Sequence, residues 1–243
     1  MSKNTLVTNV QSQAVSPQAY ARIAGVLLLV SLIAGGIGEF YVPSQLIVSN
    51  DAAATARHFV ASDALFRLGF ASYLVEAVCD VALSLVFYVL LRPVRRNLAL
   101  LAAFFGLVST ATFCAAQLFY FGASLIFGGA DYLKTFSPAQ LHSLAMLSLK
   151  FNAYGAGVFM VFYGVGAILR GYLIYHSGYL PRFLGVLFVL AGLGFVARSF
   201  LLVLAPGYAS DLLLPPMAIA ALAMTLWLLI KGVDIARWEA KAS

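Results

Sequence analysis

The sequence predicts an all-α integral membrane protein, a bundle of six transmembrane helices with short interfacial helices on the outer side. Hydrophobic residues make up 63% of the 243 residues and charged residues only 10%. A soluble domain averages about 45–50% apolar and about 25% charged residues. The mean hydropathy of +0.95 agrees with a membrane protein. The chain also contains separate apolar runs of about 20 residues, which is the length that a bilayer core needs.

The first span is predicted over residues 23–41, after a polar leader rich in Ser, Gln and Asn. The leader is long, and the apolar run continues past the small residues Ala34-Gly35-Gly36. We therefore expect an uncleaved span rather than a signal peptide. After this span, Asn50 or Asp51 is expected to cap a short Ala-rich helix on the outer surface.

The second and third spans are predicted over residues 65–91 and 98–126, and Pro93 ends the second helix. The link between them, RPVRRN, is short, so we expect two antiparallel neighbours. Glycines at 128–129 end the third span.

The fourth helix is predicted to begin at Ser137 and Pro138, because Gln140 completes a capping box. A helix from there to about Tyr175 is too long for one perpendicular span. We expect interfacial first turns or a bend near residues 152–157, with the span proper over 151–173. Arg170 and His176 are assigned to the inner link that follows.

The last two spans are predicted over residues 183–204 and 212–230. The chain then divides into a polar cytoplasmic N-terminal tail (1–21), a six-span membrane domain (22–233) and a cytoplasmic C-terminal tail (234–243).

Basic residues predict the orientation. Seven fall on one side of the predicted spans: Arg92, Arg95, Arg96, Arg182, Lys231, Arg237 and Lys241. Lys and Arg concentrate in cytoplasmic loops, so we expect both termini in the cytoplasm and the protein in a bacterial cytoplasmic (inner) membrane. The same bias accounts for the net charge of +6. No basic, aromatic-interleaved segment of the nucleic-acid-binding kind is present.

Several stretches carry a family resemblance: CDVALSLVFYVLLRPVRRNLALLAAFF, GADYLKTF, GYLIYHSGYLPRFLGVLFVLAGLGF and LWLLIKGV. With these, the chain resembles a bacterial family of multi-pass membrane proteins catalogued as domain of unknown function 4386. The resemblance covers nearly the whole chain, from about Ala21 to Trp238. It implies a compact fold of six or seven spans and no particular activity.

Two carboxylates in the second span are the first candidates for a site. Glu76 and Asp80 are four residues apart and share one face of a helix. An acid at mid-membrane costs roughly 2.5–3.5 kcal/mol on insertion scales. We therefore expect both side chains to face protein or a water-filled cavity.

Further polar residues are expected near these acids or at the outer mouth of the bundle. They are Glu39, Arg67, Tyr73, Gln117, Lys150, Asn152 and Arg198. Among them, Arg198 and Gln117 are expected to be the partners of Glu76 and Asp80. One interpretation is a pocket for a proton, an ion or a small polar molecule. The other is a balanced cluster of salt bridges and hydrogen bonds that fixes helix packing.

Signals for catalysis are poor. The three histidines lie away from mid-membrane, and the HExxH, GxSxG and phosphate-binding glycine motifs are missing from the sequence. We predict no catalytic residue, metal or cofactor. The first functional hypothesis is binding or transport of an ion or small polar molecule around Glu76 and Asp80. The second is a non-catalytic subunit or sensor acting on a membrane protein partner, and an intramembrane enzyme ranks last.

Overall fold

A computed structural model describes residues 16–49, 51–128 and 131–243, which form helices joined by short turns, without a strand. Six helical stretches within these ranges are long and apolar enough to cross a membrane. The protein is therefore an all-α, multi-pass integral membrane protein, as predicted. Residues 1–15 of the predicted tail, the candidate cap Asn50 and Gly129 lie outside the described residues.

The first span is a continuous helical stretch with a π-helical insert. It comprises α1 (Pro17–Gly35), the π segment (Gly36–Tyr41) and α2 (Val42–Leu46). A short helix α3 (Ala52–Ala61) precedes the remaining spans. These are α4 (Asp63–Leu91), α5 (Arg96–Phe127), α6 (Pro138–Ser177), α7 (Arg182–Leu204) and α8 (Pro215–Ile230), followed by the C-terminal helix α9 (Ile235–Ala242).

Local capping explains where several helices begin. Asp51 accepts a hydrogen bond from the Ala54 amide at 2.8 Å and starts α3, as predicted. The capping box of Ser137 and Gln140 starts α6, also as predicted. Ser16 caps α1, so the first helix begins earlier than the predicted residue 23. The fourth helix is continuous over 40 residues and extends beyond the predicted span at both ends.

The six spans form a ring in chain order. Consecutive spans pack against each other, and α8 returns to pack against α1. We call the end of the ring where α1 begins and α8 ends the terminal end, and the opposite end the far end.

Polar contacts close the ring at the terminal end. Gln18 donates to the Lys231 carbonyl at 3.1 Å and accepts from the Val233 amide at 3.0 Å. Arg22 donates to the last carbonyls of α8, including those of Leu228 and Leu229. These carbonyls have no partner within their own helix, so side chains of α1 satisfy the end of α8.

The C-terminal helix α9 packs on the same end. Trp238 donates its indole N–H to the Leu90 carbonyl at 2.9 Å, and the Tyr179 hydroxyl donates to the same oxygen at 2.7 Å. Burial raises the pKa of the Tyr179 phenol, so this group keeps the proton that it donates. The predicted C-terminal tail is thus a docked helix.

Two buried apolar clusters lie on either side of a polar layer. The cluster at the terminal end includes Leu90, Ile174 and Leu228. The far-end cluster is rich in aromatic residues, with Phe66 and Tyr120 stacked at 5.0 Å between ring centres. The residues between these clusters carry the candidate site.

Glycines bring α6 and α7 into backbone contact. A Cβ atom at Gly171 would lie 2.6 Å from the Gly185 carbonyl oxygen, and one at Gly164 would lie 2.7 Å from the Gly192 carbonyl oxygen. Small residues of this kind allow close packing of helices in lipid.

We predict that Gly171→Ala lowers the free energy of unfolding by about 1–3 kcal/mol, because the added methyl group separates α6 from α7. Gly36→Ala is the matched control, since a Cβ atom there meets nothing within 4 Å. Thermal unfolding of the detergent-solubilised variants measures the difference. Equal unfolding temperatures for the two variants would contradict the backbone contact.

Candidate functional site

Glu76 and Asp80 lie one turn apart on α4 and face small residues of α1. Ser31 Oγ donates to Asp80 Oδ1 at 3.2 Å. A Cβ atom at Gly35 would lie 3.1 Å from Glu76 Oε1, a tight contact, so the glycine gives this carboxylate room. The small side chains of α1 thus admit two acids between the first two spans.

The π segment brings a third acid to the same place. Glu39 lies in its middle, and its neighbour Gly38 is buried against Tyr73. The Tyr73 hydroxyl donates to the Gly38 carbonyl at 2.6 Å. Short π-helical turns occur often at functional sites. Here the insert and the tyrosine together set the position of Glu39.

The three carboxylates line one cavity of about 320 Å³. We call it the acidic cavity. Its other walls come from α1, α6, α7 and α8 and are largely apolar, including Phe159, Met160, Tyr163, Phe195 and Met217. Its exposed lining residues Gly36, Glu39, Phe40 and Ala218 belong to the first span and α8. Access is therefore on the side between these two helices, toward the far end.

A second, smaller space adjoins the acidic cavity. It holds about 20 Å³ and is lined by polar groups of Asp80, Ser84, Ser109, Thr110, Tyr163 and Arg170. We call it the inner chamber. The chamber has room for about one water molecule. Leu28, Asp80 and Tyr163 line both spaces, so they form the wall between them.

Arg170 is the functional candidate that sequence reasoning missed. The structure places it inside α6, buried and only 6% exposed, which corrects its assignment to the inner link. Its guanidinium carbon lies 5.3 Å from the ring centre of Tyr163 and 5.9 Å from that of Phe87. Its Nε and Nη2 atoms have no hydrogen-bond partner among the described residues.

Two glycines, Gly106 of α5 and Gly166 of α6, lie beside this arginine. A Cβ atom at Gly106 would lie 3.8 Å from Arg170 Nη1, and one at Gly166 would lie 3.7 Å from Nη2. In the sequence, Gly166 stands one helical turn before Arg170. Arg170 was not recognised as a site residue because it lies near the predicted cytoplasmic end of its span, where basic residues are expected.

The other predicted site residues have partners outside the acidic cavity. The expected pairing of Arg198 with Glu76 is wrong, because Arg198 Nη2 lies 2.6 Å from Asp211 Oδ1. Gln117 is buried and accepts from Asn152 at 3.2 Å, so it is not seen with Glu76 either. Two more of the predicted site residues lie at the surface. Arg67 forms an ion pair with Asp63 at 2.7 Å, and Lys150 is exposed.

The arrangement concentrates acidic groups in an apolar, membrane-embedded space. No basic side chain is found among the described residues that line the acidic cavity. No three His, Cys, Asp or Glu side chains of the described ranges are grouped so as to hold a metal ion. The site offers three carboxylates for electrostatic contact, with aromatic rings beside them.

Comparison with known sequences gives a family. The profile of the family described as Domain of unknown function (DUF4386) matches residues 23–232. The chain belongs to this family. The DUF4386 match includes residues from all six spans and every acid of the cavity.

One relative is an uncharacterized protein of Archaeoglobus fulgidus, 27% identical over 155 residues. The match covers 64% of this chain and 78% of the relative. No solved structure matches the chain.

Removing the Tyr73 hydroxyl tests whether its hydrogen bond to the Gly38 carbonyl stabilises the π segment. We predict that Tyr73→Phe lowers the free energy of unfolding by about 1–3 kcal/mol, since it leaves the buried Gly38 carbonyl unpaired. Tyr208→Phe is the control, because Tyr208 is 81% exposed. Thermal unfolding in detergent measures both, and a drop of the same size in the control would contradict the assignment.

Proposed function

We propose that this DUF4386 protein binds a small cation within the membrane, either an ion or a small positively charged polar molecule. The observation that carries the proposal is the acidic cavity, where Glu39, Glu76 and Asp80 share one space without a basic lining residue. Intramembrane acids are costly and mark ion or substrate pathways in membrane proteins. A bound cation or protons would offset the charge of the three carboxylates.

The apolar walls support the same proposal. Phe40, Tyr163 and Phe195 contribute aromatic rings to the lining. A ring face attracts a cation, and the attraction is larger where water is excluded. The volume of about 320 Å³ is at the lower end of the range of about 300–1,000 Å³ for small-molecule pockets.

The shape of the polar path favours a carrier over a channel. The path runs from the acidic cavity through the wall at Asp80 to the inner chamber and Arg170. Around Leu91 and Ala99, beyond Arg170, the described helices leave no space for a water molecule. Passage to the terminal end would therefore require the helices to move.

Charge distribution supports an orientation. Arg92, Arg95, Arg96, Arg182 and Lys231 lie at the terminal end, next to the ends of the spans. We place this end in the cytoplasm by the positive-inside rule, so that the acidic cavity is accessible from the outer half of a bacterial inner membrane.

Binding is tested on the purified protein with sodium, potassium and choline, and with 3,3-dimethylbutan-1-ol as the neutral isostere of choline. We expect at least one cation to raise the unfolding temperature and to give a saturable calorimetric titration, while the neutral isostere does neither. Asp80→Asn and Glu76→Gln should weaken that binding about tenfold or more, as expected for the loss of one charged contact.

The matched control is Glu239→Gln, the same substitution at an exposed acid of α9. It should leave cation binding unchanged. The proposal is contradicted if none of the cations binds, or if the cavity variants only lower stability and bind as tightly as the wild-type protein.

A further inference from the structure

Asp80 stands between the acidic cavity and a fixed positive charge. On the α1 side, Ser31 donates to its carboxylate at 3.2 Å, within the lining of the acidic cavity. On the other side, it shares the inner chamber with Arg170. A ligand in the acidic cavity and the guanidinium of Arg170 would therefore approach the same carboxylate from opposite sides.

Asp80 is the one acid among the described residues that line the inner chamber with Arg170. The ion pairs found there join Arg67 to Asp63, Lys134 to Asp131, Arg198 to Asp211 and Arg237 to Asp234, and none includes Arg170. The hydroxyls of Ser109 and Thr110 also line the chamber, but both donate to the Gly106 carbonyl. A buried charge without a partner is strongly destabilising. Asp80 is thus the carboxylate that offsets the charge of Arg170.

We infer that Arg170 is an internal competitor of the ligand, a tethered cation that neutralises Asp80 when the acidic cavity is empty and lowers the affinity for any cation that enters it. This inference rests on the proposed cation site and specifies how that site is regulated. Because the competitor belongs to the protein, Asp80 keeps a counter-charge when the site is empty, and a bound cation is released more readily.

The small size of the inner chamber supports an effect of measurable size. Asp80 and Arg170 both line this space of about 20 Å³, which is enough for about one water. Charges separated by one water still interact appreciably in a protein interior with an effective dielectric constant near 20. We therefore expect removal of the arginine charge to tighten cation binding by about tenfold to a hundredfold.

The experiment is a double-mutant cycle between Asp80 and Arg170, read by calorimetric titration with choline and with sodium. Arg170→Met and Arg170→Gln should both bind the cation more tightly than the wild-type protein. Arg170→Lys keeps the charge and should bind at close to the wild-type affinity. In the Asp80→Asn background, Arg170→Met should give a clearly smaller gain.

A second measurement, the unfolding temperature of the ligand-free Asp80 variants, needs neither a ligand nor the single Arg170 variants. Asp80→Asn leaves the arginine without its counter-charge, so the ligand-free protein should unfold at a lower temperature. Adding Arg170→Met to Asp80→Asn should restore part of that temperature, because the unpaired charge is removed.

The outcomes separate the two proposals. If the wild-type protein binds neither choline nor sodium nor potassium, the proposed function fails and this inference fails with it. If the wild-type protein binds a cation but Arg170→Met and Arg170→Gln bind it equally well or more weakly, the inference alone is overturned. A double variant no more stable than Asp80→Asn would also overturn it.

Discussion

The helix arrangement depends on keeping one arginine and three carboxylates inside the ring of six spans, in the polar layer between the two apolar clusters. By helix rise, Asp80 lies about 17 Å from the terminal end of α4, and Arg170 about 10 Å from that of α6. Neither charge can be stabilised by lipid. The first span, α4 and α6 meet around these groups, and the apolar clusters seal the layer on both sides. Ring closure by Arg22 and α9 holds the helices in this arrangement.

Most of the fold could be predicted from the sequence because hydrophobic length and capping are local properties. The capping box at Ser137 and the cap at Asp51 were found from a few neighbouring residues. The π segment could not be predicted, because it depends on Tyr73, more than thirty residues away, bonding the Gly38 carbonyl. The docking of α9 was also missed, since Trp238 finds its partner Leu90 in another helix.

The candidate site was predicted only in part. Helical spacing placed Glu76 and Asp80 on one face of α4. The free-energy cost of exposing an acid to lipid predicted that both side chains face protein. The partner of Asp80 could not be found this way, because Arg198 and Arg170 look alike in a hydropathy profile. The choice between them is made by tertiary contacts: Asp211 pairs with Arg198 at 2.6 Å, and Arg170 shares the inner chamber with Asp80.

Carbodiimide labelling tests most directly whether the acidic cavity is a cation site. Dicyclohexylcarbodiimide is an apolar reagent that converts protonated carboxyl groups in membranes to stable N-acylureas, and peptide mapping by mass spectrometry locates the product. We predict labelling at Glu39, Glu76 or Asp80 that decreases as choline or another bound cation saturates the protein, while 3,3-dimethylbutan-1-ol gives no protection. Labelling at these acids that is unchanged by every cation would contradict a shared cation site.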